Sequence, residues 1–471
     1  MPVPRILLVL ALVFGPGWIV PSAHAQDVDS WTPAEAALAA ELKSRVEERA
    51  AAERFSGTVL LAKGENVLFE GAYGLASRRY GVAMQIDTKL NIGSMNKMMT
   101  GVAICQLVEQ GRLSFADPVG KYLPDYPNAD VREKVTIHHL LTHTSGLGSY
   151  WNEEFEARRA QLRTVVDLIP LFAEDPLRFE PGARFGYSNS GPVLLGRILE
   201  VVTGQSYYDY IRKHVTGPAG MKGTDCYETD DPVPNLAMGY MRMGADGRPD
   251  PSAPLRSNLF AHSVRGGPAG GGYSTVGDLQ RFALAIMNHR LLGEEMTKTL
   301  LEGKVELGPG VSYAYLFDDS HLGPVHFYGH NGGGPGINGE LTFFPGSGYV
   351  LAVLSNIDLA ATEIAEEFRP KIAALIDPTA ARDRARPPYR LGLRLALSDG
   401  EPRVEGVDPG GPAEKAGLLA GDVLVSISSR PVGADVLAQI DDALRPGTPF
   451  RIGVRRGSET LTVAVRPERV D

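Results

Sequence analysis

Residues 91–103 read NIGSMNKMMTGVA and place Ser94 directly after a glycine and three positions before Lys97. From Met95 onward the apolar residues recur mostly every three or four positions, which predicts a helix that opens at Ser94 and ends at Gly111. On such a helix residues three apart share one face, so the hydroxyl and the amine would lie one turn apart. The stretch therefore allows two interpretations, a capped amphipathic helix and a nucleophile beside its base.

The second interpretation requires specific chemistry. A serine hydroxyl attacks only when a base removes its proton, and Lys97 can be that base if burial or nearby positive potential lowers its pKa. The N-terminal end of a helix supplies such potential, and the Ser94 N–H would point outward to receive an oxyanion. The pair alone decides nothing, because a chain with 25 serines and 12 lysines contains roughly 0.6 such pairs by chance.

Two later stretches complete a recognisable pattern. FEPGARFGYSNSG contains Tyr187-Ser188-Asn189, and YGHNGGGPGINGEL contains His330-Asn331-Gly332. With Ser94 and Lys97 they resemble the S-x-x-K, S-D-N and K-T-G signature of serine β-lactamases and penicillin-binding proteins. The resemblance, to the class C β-lactamase-like serine hydrolases, extends from about residue 54 to 376. Further stretches that carry it lie at 111–127, 135–147, 187–211 and 268–283.

The resemblance implies an α/β (α+β) three-layer fold, in which helices flank an antiparallel sheet and a helical subdomain is inserted. The residue patterns favour the same architecture. β-rich runs surround the turns at 63–66 and 345–348, which predicts two hairpins. Helices are predicted from a cap at Ser30 and over 361–376, and the middle of the chain, roughly 112 to 265, is helical with Pro and Gly turns.

The resemblance also implies catalytic roles. Ser94 would be acylated, and Lys97 and Tyr187 would share the proton transfers. A tyrosine acts as a base only when adjacent positive charge lowers its pKa, which Lys97 and His330 would provide. The oxyanion hole would consist of the backbone N–H groups of Ser94 and Gly333. Water would then release the acyl group.

Substrate binding is implied for the second and third motifs. Asn189 would hydrogen-bond the substrate amide and hold Lys97. His330, Asn331 and Gly332 would form the third-motif strand, with His330 in the place of the usual lysine. The predicted substrate-binding residues are therefore Asn189, His330, Asn331 and Gly332.

The third motif departs from the usual β-lactamase pattern at two positions. A lysine followed by a hydroxyl residue grips a substrate carboxylate, and here His330 and Asn331 stand in those places. His-x-Gly is more typical of the esterase- and peptidase-like branches, so the expected substrates are a simple ester, then a D-amino-acid peptide, then a β-lactam. Because histidine titrates near pH 7, a pH-dependent preference is a further expectation.

The N-terminus predicts export. Arg5, an apolar run and Ala23-His24-Ala25 form the three parts of a signal peptide over residues 1–25, so a periplasmic or secreted location is expected. An uncleaved anchor is the alternative, but the apolar run is shorter than a membrane span and no later segment is long enough to span. The net charge of −9 and the absence of basic runs argue against nucleic acid as a partner.

The length of 471 residues predicts two domains, a hydrolase domain over 26–376 and a second one after a charged linker at 377–388. Residues 389–468, with GGPAEKAGLLAGDVLVSI, resemble a small, mainly-β PDZ domain of the bacterial protease type. A PDZ domain binds a peptide C-terminus by adding it to a sheet edge. The resemblance implies a carboxylate loop at Leu391, Gly392 and Leu393, and groove residues Val436 and Ile440. A PDZ fold that binds nothing is the alternative.

Other chemistries are disfavoured. The histidines at His138, His139 and His143 lack the glutamate of a zinc-binding H-E-x-x-H motif, so neither a metal nor a cofactor is expected. Ser145 is predicted to be a turn serine. G-x-S-x-G is absent from the sequence, which argues against an α/β-hydrolase. Whether Cys105 and Cys226 pair is left open. The alternative function is a non-catalytic penicillin-recognition scaffold that serves as a PDZ peptide-binding adaptor.

Overall fold

The structure is a computed structural model that describes residues 31–243, 253–308, 310–358, 360–380, 389–398, 401–428 and 430–432, positions 436, 440, 443 and 444, and residues 449–457 and 459–469. The predicted signal peptide at 1–25 and the cap at Ser30 lie outside them. Within the described chain, no helix has the length and apolar character needed to cross a membrane.

The N-terminal unit mixes helices and strands. Its helices are α1 Pro33–Ala51, α2 Asn96–Glu109, α3 Ala129–Lys134, α4 Ile137–Leu141, α5 Glu153–Arg158, α6 Val165–Leu168, α7 Ser190–Thr203, α8 Tyr207–Ile211, α9 Gly217–Ala219, α10 Val276–Met287, α11 Glu294–Leu301 and α12 Ala360–Ile376. Its strands are β1 Gly57–Lys63, β2 Asn66–Tyr73, β3 Leu75–Ser77, β4 Val82–Ala83, β5 Leu90–Gly93, β6 Tyr240–Arg242, β7 Leu255–Ser257, β8 Gly272–Ser274, β9 Val305–Gly308, β10 Val311–Tyr313, β11 Asp318–Leu322, β12 Val325–Gly334, β13 Ile337–Phe344 and β14 Tyr349–Ser355.

One antiparallel sheet forms the centre of this unit, with the strand order β2, β1, β14, β13, β12, β11, β10, β9. Both predicted hairpins are present in it, β1–β2 and β13–β14. Gly64 turns the first with a φ of +59° and Gly348 helps to turn the second with a φ of +78°. Because only glycine adopts such angles without strain, these two residues fix where each hairpin folds back.

The sheet is covered on both faces, which confirms the three-layer fold. Successive strand residues point to opposite faces. In β1, Leu60 packs in the apolar core that contains α2, whereas Val59 and Leu61 pack in a second core with α1 and α12. The helical segments between α2 and β8 add to the first core and form the helical subdomain.

Helix α2 begins later than predicted. It starts at Asn96, and Ser94 and Met95 form a turn before it. The reason is that β5 pairs with β8 up to Gly93, which holds the preceding residues extended. Residues 96–107 are all buried, so α2 is a core helix rather than the amphipathic surface helix of the first interpretation.

Two further boundaries differ from the predictions. The described cap of α1 is Thr32, whose hydroxyl accepts from the Glu35 N–H while the Glu35 carboxylate accepts from the Thr32 N–H. At the other end, residues 377–380 of the predicted linker pack on the hydrolase unit. The Asp377 N–H donates to the Ala373 carbonyl at 2.9 Å, and Ala380 is buried in the core with α12. The rest of the linker, 381–388, lies outside the described residues.

The C-terminal unit has its own apolar core and a separate sheet. The sheet order is β16, β17, β18, β20, β21, with β19 beside β18, and β15 pairs with β22. The elements are β15 Tyr389–Arg390, β16 Leu393–Ser398, β17 Glu401–Val407, α13 Pro412–Lys415, β18 Val423–Ile427, β19 Arg430–Pro431, β20 Phe450–Arg456, β21 Glu459–Val465 and β22 Glu468–Arg469. The small, mainly-β second domain is therefore present.

Candidate active site

The turn between β5 and α2 brings Ser94 against strand β12. Gly93 has a φ of +50°, and a Cβ atom there would lie 2.9 Å from the Gly333 nitrogen. On the facing strand, a Cβ atom at Gly332 would lie 2.0 Å from the Ile92 carbonyl oxygen and 3.2 Å from the Ser94 nitrogen. Only glycine permits this approach, so the two glycines let the backbone around Ser94 and Gly333 come together.

This approach places the predicted oxyanion groups side by side. The Ser94 N–H lies at the entrance to α2, and Gly333 lies in β12 next to the end of β5. Both residues line the same cavity. Two backbone N–H groups arranged in this way can stabilise a carbonyl oxygen as it gains negative charge.

Lys97 occupies the first turn of α2 and is fully buried. Its Nζ lies 3.0 Å from Ser94 Oγ, 2.8 Å from Asn189 Oδ1 and 2.5 Å from the Ala269 carbonyl oxygen. Burial lowers the pKa of this amine to about 7, because the charged form loses its hydration. The predicted contact between Asn189 and Lys97 is present in this geometry.

These partners orient the neutral amine. The Asn189 and Ala269 oxygens can only accept, so they take both N–H groups of an uncharged Lys97. The amine lone pair is then left for the Ser94 hydroxyl, which can donate its proton across the 3.0 Å contact. A base needs this combination of an available lone pair and a hydrogen bond to the group that it deprotonates.

Tyr187 lies in front of Lys97, with Nζ 4.9 Å from the ring centroid. Burial raises the pKa of the phenol, and a hydrogen bond with the Ser94 side chain opposes this only in part. Solvent moderates the shift, since the residue is 43% exposed. The expectation that adjacent positive charge lowers the pKa of Tyr187 is therefore wrong, because burial raises this pKa and neither Lys97 nor His330 contributes to lowering it.

His330 does not replace the lysine of the third motif as a charge. It is buried, its Nε2 lies 3.1 Å from the Tyr313 hydroxyl, and its Nδ1 lies 2.5 Å from the Asn331 carbonyl oxygen. Burial and the nearby Lys97 amine lower its pKa to about 3. The pH-dependent preference predicted for His330 is corrected accordingly, because the ring is neutral above this pH and both nitrogens are occupied.

Asn331 lies on the other face of its strand. It pairs with Glu340 across β12 and β13, and Glu340 is hydrogen-bonded to Arg369 of α12. Residues opposite each other in an antiparallel pair share a face, so the Asn331 side chain belongs to the α12 side of the sheet. This register gives no support to the predicted contact between its side chain and substrate.

A cavity of about 330 Å³ opens beside Ser94. Its described lining contains one carboxylate, Asp231, and no lysine or arginine. His262 also lines the cavity, and burial lowers the pKa of its ring, which favours the neutral form. The walls combine apolar side chains with a comparable polar surface. The apolar part includes Tyr150, Trp151, Phe155, Val233, Leu236, Met238, Leu259 and Ile337, and the uncharged polar part includes Asn91, Asn189, Thr229, Asn258 and Ser263. Such a cavity is suited to an uncharged group that has both apolar and hydrogen-bonding parts.

The alternative metal site is not formed. His138 Nδ1 lies 3.0 Å from the Tyr315 hydroxyl, His139 completes the cap of α4, and His143 Nε2 lies 3.1 Å from the Tyr313 hydroxyl. Among the described residues, no group of three His, Cys, Asp or Glu side chains could hold a metal ion. The two cysteines are free thiols, and both are buried.

The sequence comparison matches this site to a known family. The family model described as beta-lactamase matches residues 42–374, which contain every residue of the site. The chain belongs to the β-lactamase family. The domain described as PDZ matches residues 403–456 within the second unit.

Proteins described as an esterase, a penicillin-binding protein and an amidohydrolase are similar to the chain. Esterase EstB of Burkholderia gladioli is 30% identical over 362 residues, which cover 66% of this chain and 90% of that protein. The crystal structure of a penicillin-binding protein from Bacillus halodurans has 34% identity and a TM-score of 0.63, covering 71% of this chain and 98% of that one. A D-stereospecific amidohydrolase from Streptomyces has 26% identity and a TM-score of 0.59, covering 70% and 97%.

In the PDZ domain the predicted loop and groove residues lie in different settings. The carbonyl oxygens of Leu391 and Gly392 accept from the Ala413 and Asp408 N–H groups, each at 2.8 Å, and Gly392 has a φ of +65°. Leu393 begins β16, which stands at the end of the sheet order. Val436 and Ile440 are buried in the core of the domain, and their assignment to a peptide groove stays a prediction.

Several residues of the site were not found from the sequence. Ala269 contributes a backbone carbonyl, which any residue type could supply, so its identity carries no signal. His143 and Tyr313 are buried behind the third motif and were assigned no role in catalysis. The aromatic wall of Tyr150, Trp151 and Phe155 comes from the helical subdomain, and none of the three motifs contains these residues.

Proposed function

We propose that the protein is an exported serine hydrolase that cleaves an ester, or secondarily an amide, through an acyl-enzyme on Ser94. One observation carries the proposal. The Lys97 amine is buried, its pKa is lowered to about 7, and its two carbonyl-type partners direct the lone pair to Ser94 Oγ. A structural lysine gains nothing from this arrangement, whereas a general base requires it.

The geometry supports a two-step reaction. Lys97 takes the Ser94 hydroxyl proton while Oγ bonds to the substrate carbonyl carbon, and the negative charge on the carbonyl oxygen faces the N–H groups of Ser94 and Gly333. The C–O or C–N bond then breaks, and the departing group takes the proton from Lys97, directly or through the neutral Tyr187 phenol. Water attacks the acyl carbon in the second step and gives a proton to Lys97. The bond between that carbon and Ser94 Oγ then breaks, and Oγ takes the proton from Lys97 to recover its hydroxyl.

The cavity indicates the substrate class. A penicillin-like substrate carries a carboxylate, and neither the neutral His330 nor the described cavity lining offers a cation to bind it. The described walls, which combine apolar side chains with uncharged polar ones, are suited to an uncharged acyl or alcohol group instead. The Burkholderia relative is named an esterase and the Streptomyces protein an amidohydrolase, which is consistent with an ester or amide substrate.

Side-by-side assays of a p-nitrophenyl ester of an apolar acid, a D-Ala-D-Ala peptide and a chromogenic cephalosporin test this proposal. We expect kcat/KM for the ester to exceed that for either carboxylate-bearing substrate at least ~100-fold, which corresponds to ~2.7 kcal/mol of transition-state binding. Preferential turnover of the cephalosporin would contradict the substrate assignment. Failure of all three, together with no covalent labelling, would favour the non-catalytic scaffold.

We also propose that the PDZ domain binds a peptide C-terminus along β16. This strand pairs with β17 on one side, and in the described sheet no strand pairs with its other edge. An extended peptide can add to such an edge and place its carboxylate at the loop of Leu391 and Gly392. The domain would then recruit a peptide to the hydrolase or regulate access to it.

Fluorescence anisotropy of the full-length protein with labelled decapeptides ending in Val, Leu or Phe measures this binding. We expect a peptide with a free carboxylate to bind at least ~10-fold more tightly than its C-terminal amide, since the loop N–H groups favour an anion. Gly392→Val is expected to abolish the difference, because a Cβ there meets Asp408 at 3.1 Å in a left-handed conformation. Equal binding of acid and amide would contradict the proposal.

A further inference from the structure

A chain of hydrogen bonds runs behind the active site and joins segments that are distant in sequence. The Ser188 N–H donates to His143 Nδ1 at 3.3 Å, and His143 Nε2 lies 3.1 Å from the Tyr313 hydroxyl oxygen. That oxygen lies 3.1 Å from His330 Nε2, and His330 Nδ1 lies 2.5 Å from the Asn331 carbonyl oxygen. The second and third motifs are thus connected through two residues, His143 and Tyr313, that belong to neither.

The direction of the chain is fixed by its two ends. A backbone N–H only donates, so His143 Nδ1 is bare and its hydrogen is on Nε2. A carbonyl only accepts, so His330 carries its hydrogen on Nδ1 and Nε2 is bare. The Tyr313 hydroxyl therefore accepts from His143 and donates to His330. A second proton on His143 would face the Ser188 N–H, which is also a donor. A second proton on His330 would turn the Tyr313 O–H away from its acceptor, so the chain opposes protonation of both histidines.

Burial makes each link hard to replace by water. His143 is 0%, Tyr313 2% and His330 3% exposed. Removing one partner in such surroundings leaves a buried polar atom without its hydrogen bond, and neighbouring groups must then shift to satisfy it.

Both ends of the chain reach the catalytic groups. Ser188 stands between Tyr187 and Asn189, and the His143 ring lies 4.4 Å from the Tyr187 ring, measured between centroids. At the other end, the Asn331 carbonyl belongs to β12 two residues before Gly333. A displacement of either end would move the phenol or the oxyanion N–H relative to Ser94.

We propose, on the basis of the function proposed above, that His143 and Tyr313 are positioning residues. With His330 they hold the Tyr187–Asn189 segment and the Gly333 N–H in register with Ser94. They touch no substrate. Their loss is expected to lower kcat while substrate binding in the cavity persists, because the cavity walls are formed by other residues.

Tyr313→Phe tests this, since it keeps the ring and removes the hydroxyl. We expect kcat to fall ~10- to 100-fold and KM to change less than ~3-fold. Tyr315→Phe is the matched control, because it also removes a buried hydroxyl that is bonded to a histidine, His138, outside the site. A kcat loss in Tyr313→Phe no larger than in Tyr315→Phe would overturn the inference.

His143→Asn breaks the same chain from its other side, and asparagine tolerates the φ of +54° at this position. If the chain of hydrogen bonds acts as one unit, kcat of the double variant, with both His143→Asn and Tyr313→Phe, is no more than ~3-fold below that of the less active single variant. Independent, multiplicative losses in kcat would show that the two residues act separately and would overturn the inference.

Nitrogen NMR of the histidine rings gives a readout that needs no activity. We expect a hydrogen on Nε2 of His143 and on Nδ1 of His330 between pH 6 and 8, with the His330 signals altered in Tyr313→Phe and unaltered in Tyr315→Phe. The opposite tautomers, or a charged His330, would overturn the inference. A wild-type protein with these tautomers that neither turns over nor labels would overturn the proposed function instead.

Discussion

Ser94→Ala is expected to lower kcat for the p-nitrophenyl ester by at least ~10⁴-fold and to abolish labelling by a fluorophosphonate. A serine hydrolase that lacks its nucleophile keeps only the small part of its rate enhancement that comes from the oxyanion hole and substrate binding, and the expected loss has this size. The change removes one oxygen atom and leaves Lys97 its hydrogen bonds to Asn189 and Ala269, so the fold has no reason to change.

Intact-protein mass spectrometry measures the label directly. The wild-type protein is expected to gain the mass of one phosphonyl group, and Ser94→Ala none. Ser145→Ala is the matched control, because Ser145 is a buried serine with a hydroxyl that accepts from the Leu147 N–H in a turn. It is expected to label and turn over within ~3-fold of the wild-type protein. Full labelling of Ser94→Ala would disprove the nucleophile assignment.

The sequence identified the candidate catalytic groups because their side chains are the signal. The proposed chemistry requires a particular functional group at each of four positions, Ser94, Lys97, Tyr187 and Asn189. The motifs therefore identify these residues without knowledge of the fold. The two hairpins followed from turn residues and β-rich runs for the same local reason. The structure brings Ser94, Lys97 and Asn189 within hydrogen-bonding distance.

What could not be predicted depends on contacts between distant segments. The charge of His330 is set by burial and by the nearby Lys97 amine, and the His-x-Gly motif contains no information on either. The start of α2 is set by the pairing of β5 with β8, which lies about 180 residues further along the chain. The side of the sheet on which Asn331 lies follows from strand register, which a short motif does not contain.

The PDZ groove residues show a related limit. The resemblance to a PDZ domain assigns Val436 and Ile440 to a peptide groove, and this assignment stays a prediction. Apolar residues four positions apart pack equally well into a domain core, and the structure places both side chains there. Apolar periodicity locates the buried face of a helix and does not identify what covers it.

The kcat/KM of the wild-type protein is expected to fall tenfold per pH unit below about 7. Lys97→Met is expected to have a kcat/KM at least ~10³-fold below that of the wild-type protein at pH 8. Only the neutral amine can accept the Ser94 proton, and burial lowers the pKa of Lys97 to about 7. His330 cannot produce this limb, since its pKa is lowered to about 3. Lys304→Met, a lysine substitution outside the site, should leave both the rate and the limb unchanged.

Denaturant unfolding provides a check on the same pKa that needs no substrate. The folded pKa of Lys97 lies below its ordinary value of 10.5, so between pH 7 and 10.5 the unfolded chain holds a proton that the folded protein lacks. Raising the pH in this window therefore favours folding. The free energy of unfolding of the wild-type protein, minus that of Lys97→Met, should rise by ~1.4 kcal/mol per pH unit. A constant difference would mean that Lys97 is charged at neutral pH and cannot be the base.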